Sequence, residues 1–263
     1  MPTEIFKCQQ ESYSQLDLLV KSGRHSILID GPEGSGKTFL AKLFAEMMGV
    51  EDFVVVEPTV NDIRDTIEGC VNIENDIVLC IENLDKGVVG ASYTLLKFLE
   101  EPQRNVYIVV TCRNLQKIPD TIISRSICLT VGPPIDSDIE QYAMKKDAVK
   151  YQLLHATDIW KAVRTLKDVD LVLSFNPDQQ AYYDSLKSVY SSKDSINNLM
   201  WRLGHYDDNS DTPVEFVIRY LLLFTNNQYL KRCGIDCIRD ISSGRIAPHA
   251  AVAKFLLEMK YGG

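Results

Sequence analysis

The stretch that decides the fold is LIDGPEGSGKTFLAKLF, from Leu28 to Phe44. The apolar run HSILID, which ends at Asp30, is typical of a short buried strand. A glycine-rich turn follows, and the pattern after it predicts a helix from Lys37 to Met48. Glycines let backbone N–H groups turn inward around phosphate oxygens, and a helix N-terminus adds partial positive charge. Strand, turn and helix in this order therefore predict a nucleotide-binding loop.

The eight residues GPEGSGKT match the P-loop pattern G-x-x-x-x-G-K-[ST]. We expect this loop to bind ATP through Gly31, Pro32, Glu33, Gly34, Ser35, Gly36, Lys37 and Thr38. Lys37 is expected to reach the β- and γ-phosphates, and Thr38 is expected to ligate Mg²⁺ through its hydroxyl. A chance glycine-rich turn is the alternative, and the strand before the loop and the helix after it argue against that alternative.

Strands and helices alternate through the first half of the chain. After HSILID, the runs FVVVEP, DIVLCIE, NVYIVVTC and ICLTVG predict four more strands. Helical patterns such as ASYTLLKFLEE lie between them, which favours right-handed βαβ crossovers. The sequence therefore predicts an α/β fold whose parallel five-stranded sheet is covered by helices on both faces.

After Pro134 the pattern changes, and only helical patterns remain. Helices are predicted at 136–154, 157–173, 178–191, 194–204, 212–228 and 246–260. This change predicts a domain boundary near residue 134, so that residues 1–134 form the α/β domain. The segment SFNPDQ predicts a second boundary near residue 175.

The composition is that of an ordinary soluble globular protein, with 263 residues, 45% hydrophobic and 24% charged. No apolar run approaches the roughly 20 residues that span a bilayer, and the N-terminus lacks the features of a secretion signal. We therefore expect a cytoplasmic protein without membrane contact. The net charge of −8 argues against uniform coating of DNA, so any nucleic-acid contact must be local or shared with partner chains.

Seven cysteines without regular spacing predict reduced thiols. Cys233 and Cys237, in CGIDC, have a spacing that could suit a metal, but no second pair accompanies them. Small buried side chains on a helix are therefore the favoured interpretation of this pair.

A second candidate site lies at Glu82 and Asn83, at the end of the apolar strand DIVLCIE, whose last residue is Glu82. An acidic residue at the end of such a strand binds Mg²⁺ or its water, and the next residue normally polarises the attacking water. Glu82 suits the metal role, whereas the amide of Asn83 cannot accept a proton. Asp85, two residues on, is a candidate substitute, although an ordinary polar residue at a strand end explains it equally well.

The segment LLKFLEEPQRNVYIVVTCRNLQKIPDTIISRS, from Leu95 to Ser126, resembles a conserved block of the sliding-clamp loader ATPases. These proteins are AAA+ subunits of replicative polymerase machines, and NDIRDTI, from Asn61 to Ile67, is similar to a further motif of theirs. The resemblance covers the first half of the chain. The remainder resembles the family only in its size and helicity, which implies a small helical lid at 135–175 and an all-helical collar at 176–263.

The resemblance implies ATP and Mg²⁺ as ligands, and a ring of clamp-loader subunits, typically a pentamer, as the assembly. It also implies a sliding clamp and primer–template DNA as partners. Arg125, in SRS, matches the position of an arginine finger that acts on the γ-phosphate of a neighbouring subunit. A surface arginine at a helix end is the alternative for Arg125. Bacterial members of the family carry a zinc module of four cysteines, which is absent here. The compact size, the short lid and the absence of this module suggest a phage or similarly streamlined system, and hence a bacterial host cytoplasm.

The sequence departs from the family pattern in three motifs. Glu82 and Asn83 stand where Asp-Glu is usual, Arg113 stands where the sensor-1 Thr or Asn is usual, and Trp160 stands where the sensor-2 Arg is usual. Lys161 and Arg164 are candidate replacements for that sensor-2 arginine. The binding groups are thus complete and the hydrolysis groups are altered, which predicts ATP binding with weak or partner-dependent hydrolysis.

Two alternatives remain open from the sequence. A non-hydrolysing scaffold subunit of the same kind of ring is favoured by Asn83 and Arg113 and disfavoured by the intact Lys37 and Thr38. An AAA+ helicase loader or replication initiator is the other, although neither a basic helix-turn-helix nor an initiator-type insertion is found.

Overall fold

The computed structural model describes residues 5–22, 25–70, 74–191, 196, 214–243 and 245–261. The chain divides into two compact units, Met1–Asp138 and Ile139–Gly263. The finer division into an α/β domain, a lid and a collar at residues 134 and 175 stays a prediction.

The first unit alternates helices and strands along the chain. Its elements are α1 (Gln10–Ser22), β1 (Ser26–Asp30), α2 (Lys37–Met48), β2 (Asp52–Val56), α3 (Val60–Cys70), β3 (Ile77–Ile81), α4 (Val89–Glu100), β4 (Val106–Cys112), α5 (Asp120–Ile123) and β5 (Ile127–Thr130). The five strands form one sheet in the order β2-β3-β4-β1-β5, and every neighbouring pair is parallel. The predicted parallel five-stranded α/β fold is confirmed.

Helices cover both faces of this sheet, as the apolar strands predict. Successive side chains of a strand point to opposite faces, so Ile27 and Ile29 pack with α1 and α2 on one face. Leu28 points the other way and packs with α3 and α4. The edge strands β2 and β5 are less well covered. Val55 of β2 remains 47% exposed although its run looks as apolar as the others, and two of the four positions of β5 are exposed.

The topology places three loops side by side along the edge of the sheet that the C-terminal ends of its strands form. In a parallel sheet the C-terminal ends of all strands lie at the same edge, and ligands of α/β proteins bind outside that edge. Strands β3, β4 and β1 are neighbours, so the segments that follow Ile81, Cys112 and Asp30 meet there. These segments carry the residues that the sequence singled out.

The described part of the second unit contains helices and no strand. They are α6 (Asp136–Leu154, whose first three residues belong to the first unit), α7 (Leu166–Ser174), α8 (Pro177–Leu186), α9 (Val214–Leu222), α10 (Gln228–Ser242) and α11 (Pro248–Tyr261). Helix α6 matches its predicted range, although Asp147 has non-helical backbone angles and interrupts it.

Three predicted helices differ from the structure. The helix predicted at 157–173 is a 3-10 turn, Trp160–Ala162, followed by α7, because the Thr165 side chain caps a new helix start. The helix predicted at 178–191 becomes 3-10 after Leu186. The helix predicted at 212–228 ends at Leu222, and α10, which the sequence pattern had not predicted, begins where Asn227 caps its N-terminus. The helix predicted at 194–204 lies outside the described residues apart from residue 196.

All seven cysteines are free thiols. Cys233 and Cys237 lie on α10, and Cys237 is buried, which agrees with a small packing residue on a helix. Within the described ranges, no helix is long and apolar enough to cross a membrane.

Candidate nucleotide site

The loop between β1 and α2 has a backbone that only glycine accommodates at several points. Gly34 and Gly36 have φ angles of 71° and 84°, in the left-handed region that residues with a Cβ rarely adopt. A Cβ on Gly31 would lie 2.6 Å from the carbonyl oxygen of Val131. The result is a backbone cradle at the N-terminus of α2, which is the arrangement that binds phosphate groups.

Lys37 occupies the mouth of this cradle. Its ammonium donates hydrogen bonds to the carbonyl oxygens of Gly31 and Pro32, each at 2.8 Å. The side chain is buried, and this burial, followed by the positive charge of Arg113, lowers the pKa of Lys37. A buried cation next to another cation favours an anionic ligand, because the ligand's charge offsets both the desolvation and the repulsion.

The two groups predicted to hold Mg²⁺ contact each other. Thr38 lies at the start of α2, and Glu82 lies directly after β3. The Thr38 hydroxyl donates a hydrogen bond to Glu82 Oε1 at 2.5 Å. A hydroxyl and a carboxylate are the hard oxygen ligands that Mg²⁺ prefers, usually together with waters and substrate phosphates. The cradle, Lys37 and this oxygen pair therefore fit a magnesium–nucleotide complex.

Asn83 has an unusual backbone conformation. Its φ of 50° makes it the one non-glycine residue with positive φ among those described, and asparagine tolerates this region better than most residues. Its N–H donates to the buried Thr111 hydroxyl at 2.9 Å, which anchors the turn to β4. Its side-chain oxygen accepts from Arg113 Nε at 3.4 Å.

Arg113 connects the loop after β1 to the segment after β3. Its Nη1 lies 2.5 Å from Glu33 Oε2, in the loop, and its backbone N–H donates to Asp85 Oδ1 at 3.0 Å. One oxygen of Asp85 thus holds the backbone after β4, which gives this carboxylate a structural task. The structure brings Glu33, Asn83, Asp85 and Arg113 together with the loop. The sequence had singled out Glu33 only as a loop position.

Gln9 is a residue that sequence analysis missed. It lies in the 3-10 turn Lys7–Gln9 and is fully buried, and its Nε2 donates to the carbonyl oxygens of Ser35 and Gly36 at 2.9 and 3.4 Å. These bonds connect the loop to a segment that lies before α1 in the chain. No sequence pattern marks this residue, because the contact exists only after the chain folds.

Arg125 lies at the opposite edge of the sheet, which the N-terminal ends of the strands form. It precedes β5, its Nη2 pairs with Glu100 at 2.8 Å, and its Nη1 donates to the Thr121 carbonyl at 2.9 Å. The neighbouring Ser126 hydroxyl contacts that of Ser26, where β1 begins. Strand β1 rises about 3.3 Å per residue, so its whole length separates this edge from the cradle. Arg125 is therefore not part of the nucleotide site of its own chain.

The three candidates for the sensor-2 position belong to the second unit. The Trp160 ring packs edge-on against Tyr151 at 5.1 Å, and Lys161 pairs with Asp158 at 2.8 Å. Arg164 Nη1 donates to the Val163 carbonyl at 2.6 Å. A role for any of them at the nucleotide stays a prediction.

Comparison with known sequences finds similarity to subunits of DNA polymerase III. Residues 51–134, from the start of β2 to just beyond β5, match the family model described as DNA polymerase III, delta subunit. The chain is also 30% identical to the DNA polymerase III subunit tau of Bacillus subtilis (strain 168), in a match that covers 41% of this chain. That match spans 24%, or about a quarter, of the length of the relative.

Comparison with solved structures concerns the fold. A DNA polymerase III gamma subunit-related protein from Thermotoga maritima superimposes with a TM-score of 0.54 at 16% identity, covering 94% of this chain and 98% of that one. The RuvB Holliday junction branch migration motor of Thermotoga maritima gives a TM-score of 0.53 at 16% identity, covering 95% and 87%. The chain thus shares the fold of these proteins, a parallel five-stranded sheet followed by helices.

Proposed function

We propose that this chain, whose sequence similarities support a place in the clamp-loader family of AAA+ proteins, is an ATP-binding subunit of a DNA-replication clamp loader. The observation that carries the proposal is the contact between Thr38 and Glu82 beside the Gly31–Lys37 cradle. It unites a phosphate-binding loop and a metal-binding carboxylate in a chain that resembles replication proteins.

The residues of this chain divide the work at the site. The loop from Gly31 to Thr38 would bind the phosphates, and Lys37 would neutralise part of their charge. Thr38 and Glu82 would hold Mg²⁺, which supplies charge neutralisation at the phosphate oxygens when it is bound. Asn83 holds its backbone turn and Arg113 but has no basic group. Hydrolysis would accordingly be weak or depend on partner groups.

Arg125 would serve a neighbouring subunit. Its place at the sheet edge opposite its own cradle supports a role in trans, and its contacts with Glu100 and Thr121 hold the guanidinium in a defined position. A multisubunit ring, of the kind that the clamp-loader pentamer exemplifies, would bring this arginine to the next ATP. The partners would then be other clamp-loader subunits, a sliding clamp and primer–template DNA. This complex would act in the cytoplasm. A phage origin remains a prediction.

The experiment is steady-state ATP hydrolysis by the full chain, alone and then with the candidate clamp, partner subunit and primed DNA. Lys37→Ala and Arg125→Ala are compared with Lys21→Ala and Arg104→Ala, which change exposed residues outside the site. We expect clamp- and DNA-stimulated turnover to fall about 10³-fold or more in Arg125→Ala, the range of a lost arginine finger. Lys37→Ala should also lose it, and the controls should keep it.

A scaffold subunit is the second candidate. It is favoured by the engagement of both Asn83 and Arg113 in contacts within the chain. If wild type binds ATP without turnover and Asn83→Glu then creates turnover, on the scale of about 10²–10⁴-fold that a general base supplies, the chain holds its nucleotide as structure. Failure to bind ATP at all would contradict both candidates.

A further inference from the structure

The Glu33 carboxylate places a negative charge beside the Arg113 guanidinium in the nucleotide site. Glu33 Oε2 lies 2.5 Å from Arg113 Nη1, and the side chains are only 31% and 15% exposed. Partial burial reduces the screening of this pair by solvent. It is therefore a firm contact of the site and not a surface pair of small effect.

Arg113 lies on the side of the site where a terminal phosphate belongs. Its Nε contacts Asn83, the residue directly after Glu82, and Glu82 accepts from Thr38. Thr38 and Glu82 would hold the Mg²⁺ of the nucleotide, and that ion would neutralise charge on the terminal phosphates. The guanidinium therefore faces the γ-phosphate end of the site.

A carboxylate and a phosphate compete for the same guanidinium. Both accept paired hydrogen bonds from its planar fork of N–H groups. They also repel each other when they are close, since both are negatively charged. A γ-phosphate that approaches Arg113 must therefore displace the Glu33 carboxylate, whereas a diphosphate leaves the ion pair in place.

We propose that Glu33 competes with the terminal phosphate of ATP for the Arg113 guanidinium, and that this pair sets how strongly the site prefers a nucleoside triphosphate to a diphosphate. The inference rests on the proposed function, namely ATP binding in this loop. Arg113 acts as the γ-phosphate ligand and Glu33 as the competitor that weakens ATP binding. Because Glu33 belongs to the loop and Arg113 follows β4, the exchange also changes what ties the loop to β4.

The test measures, by titration calorimetry with Mg²⁺, the Kd of the full chain for a non-hydrolysable ATP analogue and for ADP. Glu33→Gln, Arg113→Gln and the double variant are compared with wild type, and Glu51→Gln and Arg104→Gln are matched controls at exposed positions. Glu33→Gln should bind the triphosphate about 3- to 10-fold more tightly, within the range of coupling between contacting residues. Its affinity for ADP should change less than its affinity for the triphosphate, because a diphosphate leaves the ion pair in place.

Arg113→Gln should weaken triphosphate binding by about 10-fold, with a smaller effect on ADP, and should abolish the gain from Glu33→Gln in the double variant. The same gain in both backgrounds, or equal effects on ATP and ADP, would overturn the competition while leaving ATP binding intact. If Arg113→Gln does not fold, the ATP-to-ADP ratio of Glu33→Gln alone still decides. Wild type that binds neither nucleotide would overturn the proposed function as well.

Discussion

At the scale of single residues, Gly31 is required by the close approach of another backbone segment. The position of a Cβ there is taken by the Val131 carbonyl, which belongs to the backbone and cannot rotate away. Gly69, near the end of α3, is the opposite case, because nothing lies within 4 Å of its Cβ position. The two glycines therefore separate a demand of the site from an ordinary helical glycine.

Gly31→Ala should lower the free energy of unfolding by about 1–3 kcal/mol through overpacking, and it should also weaken ATP binding. Gly69→Ala should raise it by about 0.5–1 kcal/mol, because alanine loses less conformational freedom in a helix. Thermal unfolding with and without ATP measures both effects. A Gly31→Ala variant as stable as wild type would contradict the described approach of Val131.

At the scale of elements, α7 and α9 are joined through one buried carboxylate. Asp168 is 3% exposed, caps the start of α7 by accepting from the N–H groups of Arg164 and Thr165 at 2.9 Å, and pairs with Arg219 of α9 at 2.6 Å. The capping box with Thr165 fixes where α7 begins. A single residue thus sets a helix boundary and a contact between helices.

Asp168→Ala should destabilise the second unit by about 3–5 kcal/mol, since it leaves the Arg219 charge without its buried partner. Asp236→Ala is the matched control, because its pair with Arg239 is exposed and should contribute less than about 1 kcal/mol. Trp160 belongs to the second unit, and the other tryptophan, at position 201, falls within the same range of residue numbers. Urea unfolding followed by tryptophan fluorescence therefore reports on this unit, and equal midpoints for the two variants would refute the prediction.

At the scale of the whole molecule, the candidate nucleotide site and the candidate arginine finger lie at opposite edges of the sheet. The cradle lies at the C-terminal ends of the strands, and Arg125 lies where β5 begins. Within one chain these edges do not meet. A complete site that uses both would need a second subunit, as the proposed ring supplies.

Mixing Lys37→Ala and Arg125→Ala chains should restore stimulated hydrolysis that neither variant has alone. The Arg125→Ala chain supplies an intact loop, and the Lys37→Ala chain supplies an intact arginine to it. Hydrolysis is measured after the two are mixed before assembly with clamp and primed DNA, and a mixture with Arg104→Ala in place of Arg125→Ala is the reference. No recovery in the mixture, although both variants assemble, would argue that Arg125 does not act in trans.

The sequence by itself determined the cradle and the sheet content, because local chemistry encodes both. Glycines at fixed spacing before a helix predict the loop, and apolar runs separated by helical patterns predict the five parallel strands. The divided helices after residue 154 were harder, because side-chain caps such as Thr165 and Asn227 outweigh a continuing apolar pattern.

Only the tertiary structure decided which residues meet in the site. The strand order β2-β3-β4-β1-β5 brings Arg113 to Glu33 and Thr38 to Glu82, and the parallel direction of β5 places Arg125 at the opposite edge. The buried contact of Gln9 with the loop likewise joins segments that are distant in sequence. Pairing between strands that are not neighbours in the chain depends on the packing of the entire sheet, so no local pattern specifies it.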